Sequence, residues 1–373
     1  MLKQSLLLAF VALGMATPIR AQTRSLESSS ASALASALAD EVRTAHEAGA
    51  FDGLVLVAVG DRIVLKTAIG LADRANRRAF ALTDRIPLCS VTKQFTATLI
   101  MQEVGAGRLV LDAPVGTWLP WFRSGGRAAI TVRHLLQHTS GLPDPDDIPG
   151  FWSIADTAVT SPAALFARFA DLPLRTEPGR TFAYNNFDFM ALGLLLETVT
   201  GATYEQLVAR RLAKPAGLLQ VAMAPATLPA GLLPIGYDTN AVVPTQRLRT
   251  YGAAAGLLGS IDDLYRWNRA LLDGRTLAPA LLATMFTPER SLGFVGLGSW
   301  VYNLTPVKGG PSVRLAERQG GIGGWLETNI IAPDRGWSVI VFTNTTAADI
   351  HQTYSNHGLA FALVKRLLEA MPN

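Results

Sequence analysis

Only one cysteine, Cys89, occurs in 373 residues. That excludes an internal disulfide and any cysteine-rich metal site. Charge is sparse too: 17% of the residues are charged, and the net charge is +4. No long basic run is present, which argues against a nucleic-acid partner. Past the N-terminus no apolar stretch is long enough to span a bilayer, so no stable membrane insertion is expected. No Gly-x-Ser-x-Gly occurs, which removes the strained elbow of the α/β-hydrolases. A glycine-rich phosphate loop with a lysine is also missing. His134 and His138 stand four apart, yet Leu135 follows His134 where a zinc protease has glutamate, and no third ligand is evident. A structural role for both is expected, with no metal and no cofactor.

What is present is a core. With 49% hydrophobic residues the chain is globular. Residues 1–21 read as a cleavable export signal: Lys3 supplies the positive start, residues 6–16 the apolar stretch, and Ala21 a small residue before Gln22. A periplasmic or secreted protein is expected. No cysteine follows that stretch, so a lipid anchor is not supported.

Hydrophobic spacing predicts a helix over 33–49, then strands over 54–59 and 63–65 around the turn Gly60-Asp61. Residues 91–219 are mostly helical in pattern, with an amphipathic helix over 93–104, a short helix over 131–138 and an apolar helix over 190–200 stopped by Gly201. Residues 143–162 read as a long surface loop. Strands return over 326–331 and 337–343, and a helix over 360–368 closes the chain. The simplest packing is α+β: both chain ends (33–88 plus 250–373) form one antiparallel sheet flanked by helices, and 89–249 forms a mostly helical inserted domain. The cleft between them is the expected active site.

Ser90-Val91-Thr92-Lys93 carries the chemistry. Of six lysines, only Lys93 has a serine three residues before it. If Ser90 opens a helix, the two side chains share a face. A serine hydroxyl needs a nearby base or a favourable field to act as a nucleophile, and a helix start supplies part of that field. On its own the four-residue match also fits an ordinary helix cap.

Further blocks follow in order: Gly107-Arg108-Leu109-Val110-Leu111-Asp112-Ala113-Pro114-Val115; His134-Leu135-Leu136-Gln137-His138-Thr139-Ser140-Gly141-Leu142-Pro143; Pro178-Gly179-Arg180-Thr181-Phe182-Ala183-Tyr184-Asn185-Asn186; and Gly256-Leu257-Leu258-Gly259-Ser260. With Ser90 to Lys93, this series resembles the penicillin-recognising serine hydrolases. It is most similar to the class C β-lactamases, the family VIII esterases and the D-alanyl-D-alanine carboxypeptidases, from about residue 35 to the C-terminus. The resemblance implies a β-lactamase/transpeptidase-like fold and a Ser90 acyl-enzyme. It implies that Lys93 and Tyr184 are catalytic, with Tyr184 as candidate base, and that Asn186 orients. Tyr354-Ser355-Asn356 has the same form as the Tyr184 motif, but Tyr184 stands at the expected place.

The family's third motif is replaced here by Arg318-Gln319-Gly320, followed by Gly321. Arg318 keeps the positive charge and could fork onto a substrate carboxylate. Gln319 stands where β-lactamases have a small hydroxyl that helps to hold that carboxylate. Gly320 is expected to let the backbone approach substrate, and the backbone N–H groups of Ser90 and Gly321 to form the oxyanion hole. Cys89 is expected to pack behind the nucleophile. Trp118, Trp121 and Trp267 read as core or loop anchors, and Trp325 and the pair Phe151-Trp152 as possible pocket walls. Substrates implied are a small ester, a D-peptide or a β-lactam, with esterase or D-amino-acid peptidase activity ahead of a class C-like β-lactamase. A non-catalytic penicillin-binding sensor or structural member of the fold is the alternative from another class, and an intact Ser90, Lys93 and Tyr184 argues against it.

Overall fold

A computed structural model of the chain describes residues 28–151, 164, 172–243 and 248–372. The export segment and Trp152 lie outside the described residues.

The chain opens with helix α1 (Ser28–Glu47), then strands β1 (Gly53–Val59) and β2 (Arg62–Ile69). The central part carries helices α2 (Thr92–Gly105), α3 (Val132–Leu136), α4 (Asn186–Thr200) and α5 (Ile261–Leu272). Strands β3 (Trp300–Leu304), β4 (Val313–Ile322), β5 (Trp325–Ala332) and β6 (Trp337–Thr343) follow, then helix α6 (Gly358–Ala370).

The six strands form one antiparallel sheet in the order β3-β4-β5-β6-β1-β2. Both chain ends therefore build it, as expected: β1 lies against β6, with Leu54 opposite Phe342 and Leu56 opposite Ile340. The unbroken apolar run of β1 follows from burial on both faces. Leu54, Leu56 and Ala58 belong to the core shared with the central helices. Val55 and Val57 belong to a second core with Leu34, Leu38, Leu363 and Leu367 of α1 and α6. Alternation sends successive side chains to opposite faces, so a strand covered on both sides must be apolar throughout.

Three expectations are corrected. Helix α2 is not amphipathic: every residue from Thr92 to Met101 is buried. It runs through the middle of the molecule, with Phe95 stacked on Trp267 at 4.0 Å. The stretch after Pro143 does not begin as a surface loop, because Leu142 to Pro145 are buried. Phe151 is buried edge-on against Phe187, so it is core and not pocket wall.

A small sheet anchors the nucleophile turn. Leu257–Gly259 pairs with Ile86–Pro87 on one side and Ala222–Met223 on the other. The Leu88 N–H donates to the Leu257 carbonyl at 2.8 Å, two residues before Ser90. The Gly256 block thus has a structural meaning: its strand fixes where the chain enters α2.

Candidate active site

Ser90 does not itself open the α-helix. It sits in a 3₁₀ turn, Cys89–Val91, and α2 begins at Thr92. Cys89 has φ +35°, a left-handed value that costs a non-glycine residue about 1–3 kcal/mol. The surroundings hold it there: Leu88 is tied to Leu257, Val91 N–H donates to Leu88 O, and the Cys89 side chain is fully buried. Burial pushes the Cys89 thiol up, so it stays a neutral packing group behind the nucleophile.

Lys93 is buried, and its Nζ lies 3.0 Å from Ser90 Oγ. It donates to Asn186 Oδ1 at 2.8 Å and to the Ala254 carbonyl at 2.9 Å. Both of those partners can only accept. A neutral amine has two N–H bonds and one lone pair, so the lone pair is left facing the Ser90 hydroxyl. Burial, and then the Arg318 charge, push the Lys93 ammonium well below its ordinary range; Asp144, Asp146 and Asp188 oppose this without reversing it.

Tyr184 Oη lies 2.7 Å from Ser90 Oγ. The His134 to Pro143 block and the segment before Tyr184 explain how it gets there. Gly179 N–H donates to Thr139 O, Arg175 N–H to Gly141 O, and Ala183 N–H to His138 O. Gly141 has φ +77°, and a Cβ there would meet Thr176 O at 2.1 Å, so only glycine fits. His138 is buried, with Nδ1 3.1 Å from Asp188 Oδ2 and its ring 4.5 Å from the Tyr184 ring. His134 closes the N-cap of α3 with Thr131. The two histidines hold chain segments in place and do not converge on one point. Asn185 caps α4 by accepting from Asp188 N–H, which fixes Asn186 at the first helical position, facing Lys93. Tyr354 is exposed and stacks on Phe294 instead.

The β4 residues require corrections. Arg318 is neither a solvated strand charge nor an open fork. It is buried; Nε donates to the Ser90 carbonyl at 3.1 Å and one terminal nitrogen to Tyr184 Oη at 3.2 Å. Its other terminal nitrogen is sealed from solvent, and the guanidinium carbon lies 4.8 Å from the Trp300 ring centroid. The guanidinium therefore holds the Ser90 turn and the phenol in place. Gln319 donates from Nε2 to Glu317 Oε1 at 2.9 Å and to the His351 carbonyl at 2.6 Å. Gly320 is required by the protein itself: a Cβ would meet Glu327 Oε1 at 2.4 Å and the Cys89 Cβ at 3.0 Å. Gly321 lines the cleft beside Ser90.

The setting of the Tyr184 phenol does not favour the candidate-base role. Enclosure of its hydroxyl pushes the pKa up, and the Arg318 charge and the Ser90 hydrogen bond offset this only in part. The site thus holds a protonated phenol and a lysine displaced toward its neutral form.

Two arms of one cleft meet at Ser90, each about 510 Å³. They share Ser90, Tyr184 and the backbone from Gly321 to Gly324. The first arm adds Asp146, Asn186, Asp238 and Tyr251. The second adds Trp300, Arg318, Gln319 and His351. Asp144, Asp146, Tyr251 and Trp300 were not singled out from the sequence. Asp144 accepts from the backbone N–H groups of Asp146 and Asn186, and Asp146 accepts from Asn186 Nδ2 and Tyr251. The only signal was the acidic run just after Pro143. Trp325, an expected pocket wall, is a core anchor that donates to Pro234 O.

Residues 38–359 match the Beta-lactamase family. The D-aminopeptidase of Brucella canis is 30% identical over 227 residues, which cover 58% of this chain and 42% of that protein. The chain therefore spans less than half the length of the curated relatives it matches. The D-amino acid amidase from Ochrobactrum anthropi SV3, solved with D-phenylalanine, superposes with a TM-score of 0.75 at 22% identity, over 91% of this chain and 99% of that one. That likeness is one of fold. The D-stereospecific amidohydrolase from Streptomyces sp. is 28% identical, with a TM-score of 0.72 over 86% of this chain and 97% of the other.

Proposed function

The chain belongs to the Beta-lactamase family, and from that premise we propose that it is a serine hydrolase that releases D-amino acyl groups with a free amine from amides and short peptides. The observation that carries the chemistry is Ser90 Oγ held between Lys93 Nζ at 3.0 Å and Tyr184 Oη at 2.7 Å. Ser90 passes its proton to neutral Lys93, and Oγ bonds to the substrate carbonyl carbon. The resulting oxyanion faces the backbone N–H groups of Ser90 and Gly321, where preorganised donors act on growing charge. Tyr184 gives its proton to the leaving nitrogen as the C–N bond breaks, and the proton on Lys93 replaces it. Water then repeats the sequence on the acyl-enzyme and frees the acid. Esters of the same acyl groups fall within this chemistry, because an alkoxide departs more readily than an amide nitrogen.

The substrate class rests on the acidic arm and the relatives. Asp146 and Asp238 line the side of the cleft that holds Asn186, a setting that favours an ammonium. Two relatives carry D-stereospecificity in their names, a D-aminopeptidase and a D-stereospecific amidohydrolase. A panel of D-alanine p-nitroanilide, its L enantiomer, p-nitrophenyl butyrate and nitrocefin tests the reading. The D-anilide is expected to exceed both the L form and nitrocefin by about tenfold or more in kcat/KM. Faster nitrocefin turnover would return the β-lactamase alternative. A stable penicillin adduct with nothing turned over would return the sensor.

Export is part of the same proposal, since residues 1–21 carry the pattern of a cleavable signal. Mass spectrometry of the protein from a periplasmic or culture fraction is expected to find a mature chain beginning near Gln22. A chain retaining Met1 in the cytosol would refute it.

A further inference from the structure

The third-motif replacement does more than lose a hydroxyl. Gln319 lines the second arm together with Tyr184, the proton donor to the leaving group in the reading above. Its side-chain nitrogen faces two groups that can only accept here, the Glu317 carboxyl oxygen and the His351 carbonyl, at 2.9 and 2.6 Å. That fixes the amide orientation: both N–H bonds are committed, and Oε1 is the end that remains. Glu317 cannot easily release it. Glu317 is fully buried and is held by Tyr302 and by Thr328 Oγ1 as well as by Gln319. Arg318 also lines this arm, but its guanidinium is already committed to the Ser90 carbonyl and to Tyr184 Oη. The third Arg318 nitrogen is sealed, and burial pushes His351 down so that it stays neutral, with Nε2 directed at the Glu327 carbonyl at 2.8 Å.

We propose that Gln319, locked by Glu317, presents a carbonyl acceptor to the leaving group, so that the enzyme selects leaving groups offering an N–H there and rejects those ending in a free carboxylate. Gln319 is then a specificity-determining residue and Glu317 a positioning residue. The proposal rests on the D-amino acyl hydrolase reading above, and it separates a peptidase acting on carboxamides from a carboxypeptidase acting on free C-termini.

D-Ala-Gly-NH₂ and D-Ala-Gly share the acyl group and differ only at this end. Wild type is expected to favour the carboxamide by about tenfold or more in kcat/KM, the size of one mispaired polar group. Gln319→Thr, whose hydroxyl can donate, and Glu317→Gln, which unlocks the amide, should both shrink that ratio several-fold. Calorimetry on Ser90→Ala measures the same preference without turnover. Equal binding of the two peptides, or a ratio that Gln319→Thr leaves intact, overturns the proposal and leaves the hydrolase reading standing. If neither peptide binds or turns over while the butyrate ester is cleaved, both fall together.

Discussion

Ser90→Ala is expected to abolish turnover, with a loss of roughly 10⁴-fold or more, and to leave the protein folded. The hydroxyl is the atom that both neighbours address, Lys93 from one side and Tyr184 from the other. Without it no covalent intermediate forms, and the remaining donors can only bind substrate. The supporting bonds survive: Lys93 keeps Asn186 Oδ1 and the Ala254 carbonyl, and Tyr184 keeps Arg318. Thermal unfolding should therefore change by no more than about 1 kcal/mol, the scale of one hydrogen bond. A fluorophosphonate probe should label wild type and not the variant. Equal labelling of both would place the nucleophile elsewhere and end the mechanism.

Lys93→Met is expected to cost about 10²–10⁴-fold in kcat/KM, the usual contribution of a positioned general base. The pH profile identifies which group serves. The base must be unprotonated, so activity rises with pH through its folded pKa. Burial and Arg318 place that of Lys93 well below the ordinary lysine range, whereas Tyr184 is pushed above the ordinary phenol range. An acid limb well below the ordinary lysine range that disappears in Lys93→Met supports Lys93 as base. Activity that begins to rise only in strongly alkaline solution would assign the role to Tyr184. A limb near pH 6 that persists in the variant belongs to Asp144, whose carboxyl burial pushes up to about 6. Tyr184→Phe, by contrast, should slow amides more than esters, because an amide nitrogen needs a proton to leave.

Local spacing made part of this legible before any coordinates. Ser90 and Lys93 are three residues apart, and a helical turn brings such neighbours together regardless of the rest of the chain. The apolar run of β1 announced a strand, and Gly201 marked a helix stop that the backbone does make. The motif order carried Tyr184 and Asn186 to the right place, and the structure seats them beside Lys93 and Ser90.

The chain by itself determined the strands at both ends and the meeting of Ser90 with Lys93, because these follow from periodicity and short-range geometry, while the order of the motifs singled out Ser90 as the candidate nucleophile. Tertiary packing alone decided the rest. Arg318 lies 228 residues from Ser90 in sequence, and nothing local says that its guanidinium faces inward to the Ser90 carbonyl. Protonation is likewise decided by what surrounds a group, since the same lysine in water would be charged. Trp300 in place of Trp325, and Asp146 besides, became cleft walls for the same reason: a side chain's chemistry is written in the sequence, but its solvent is assigned only when distant segments close around it.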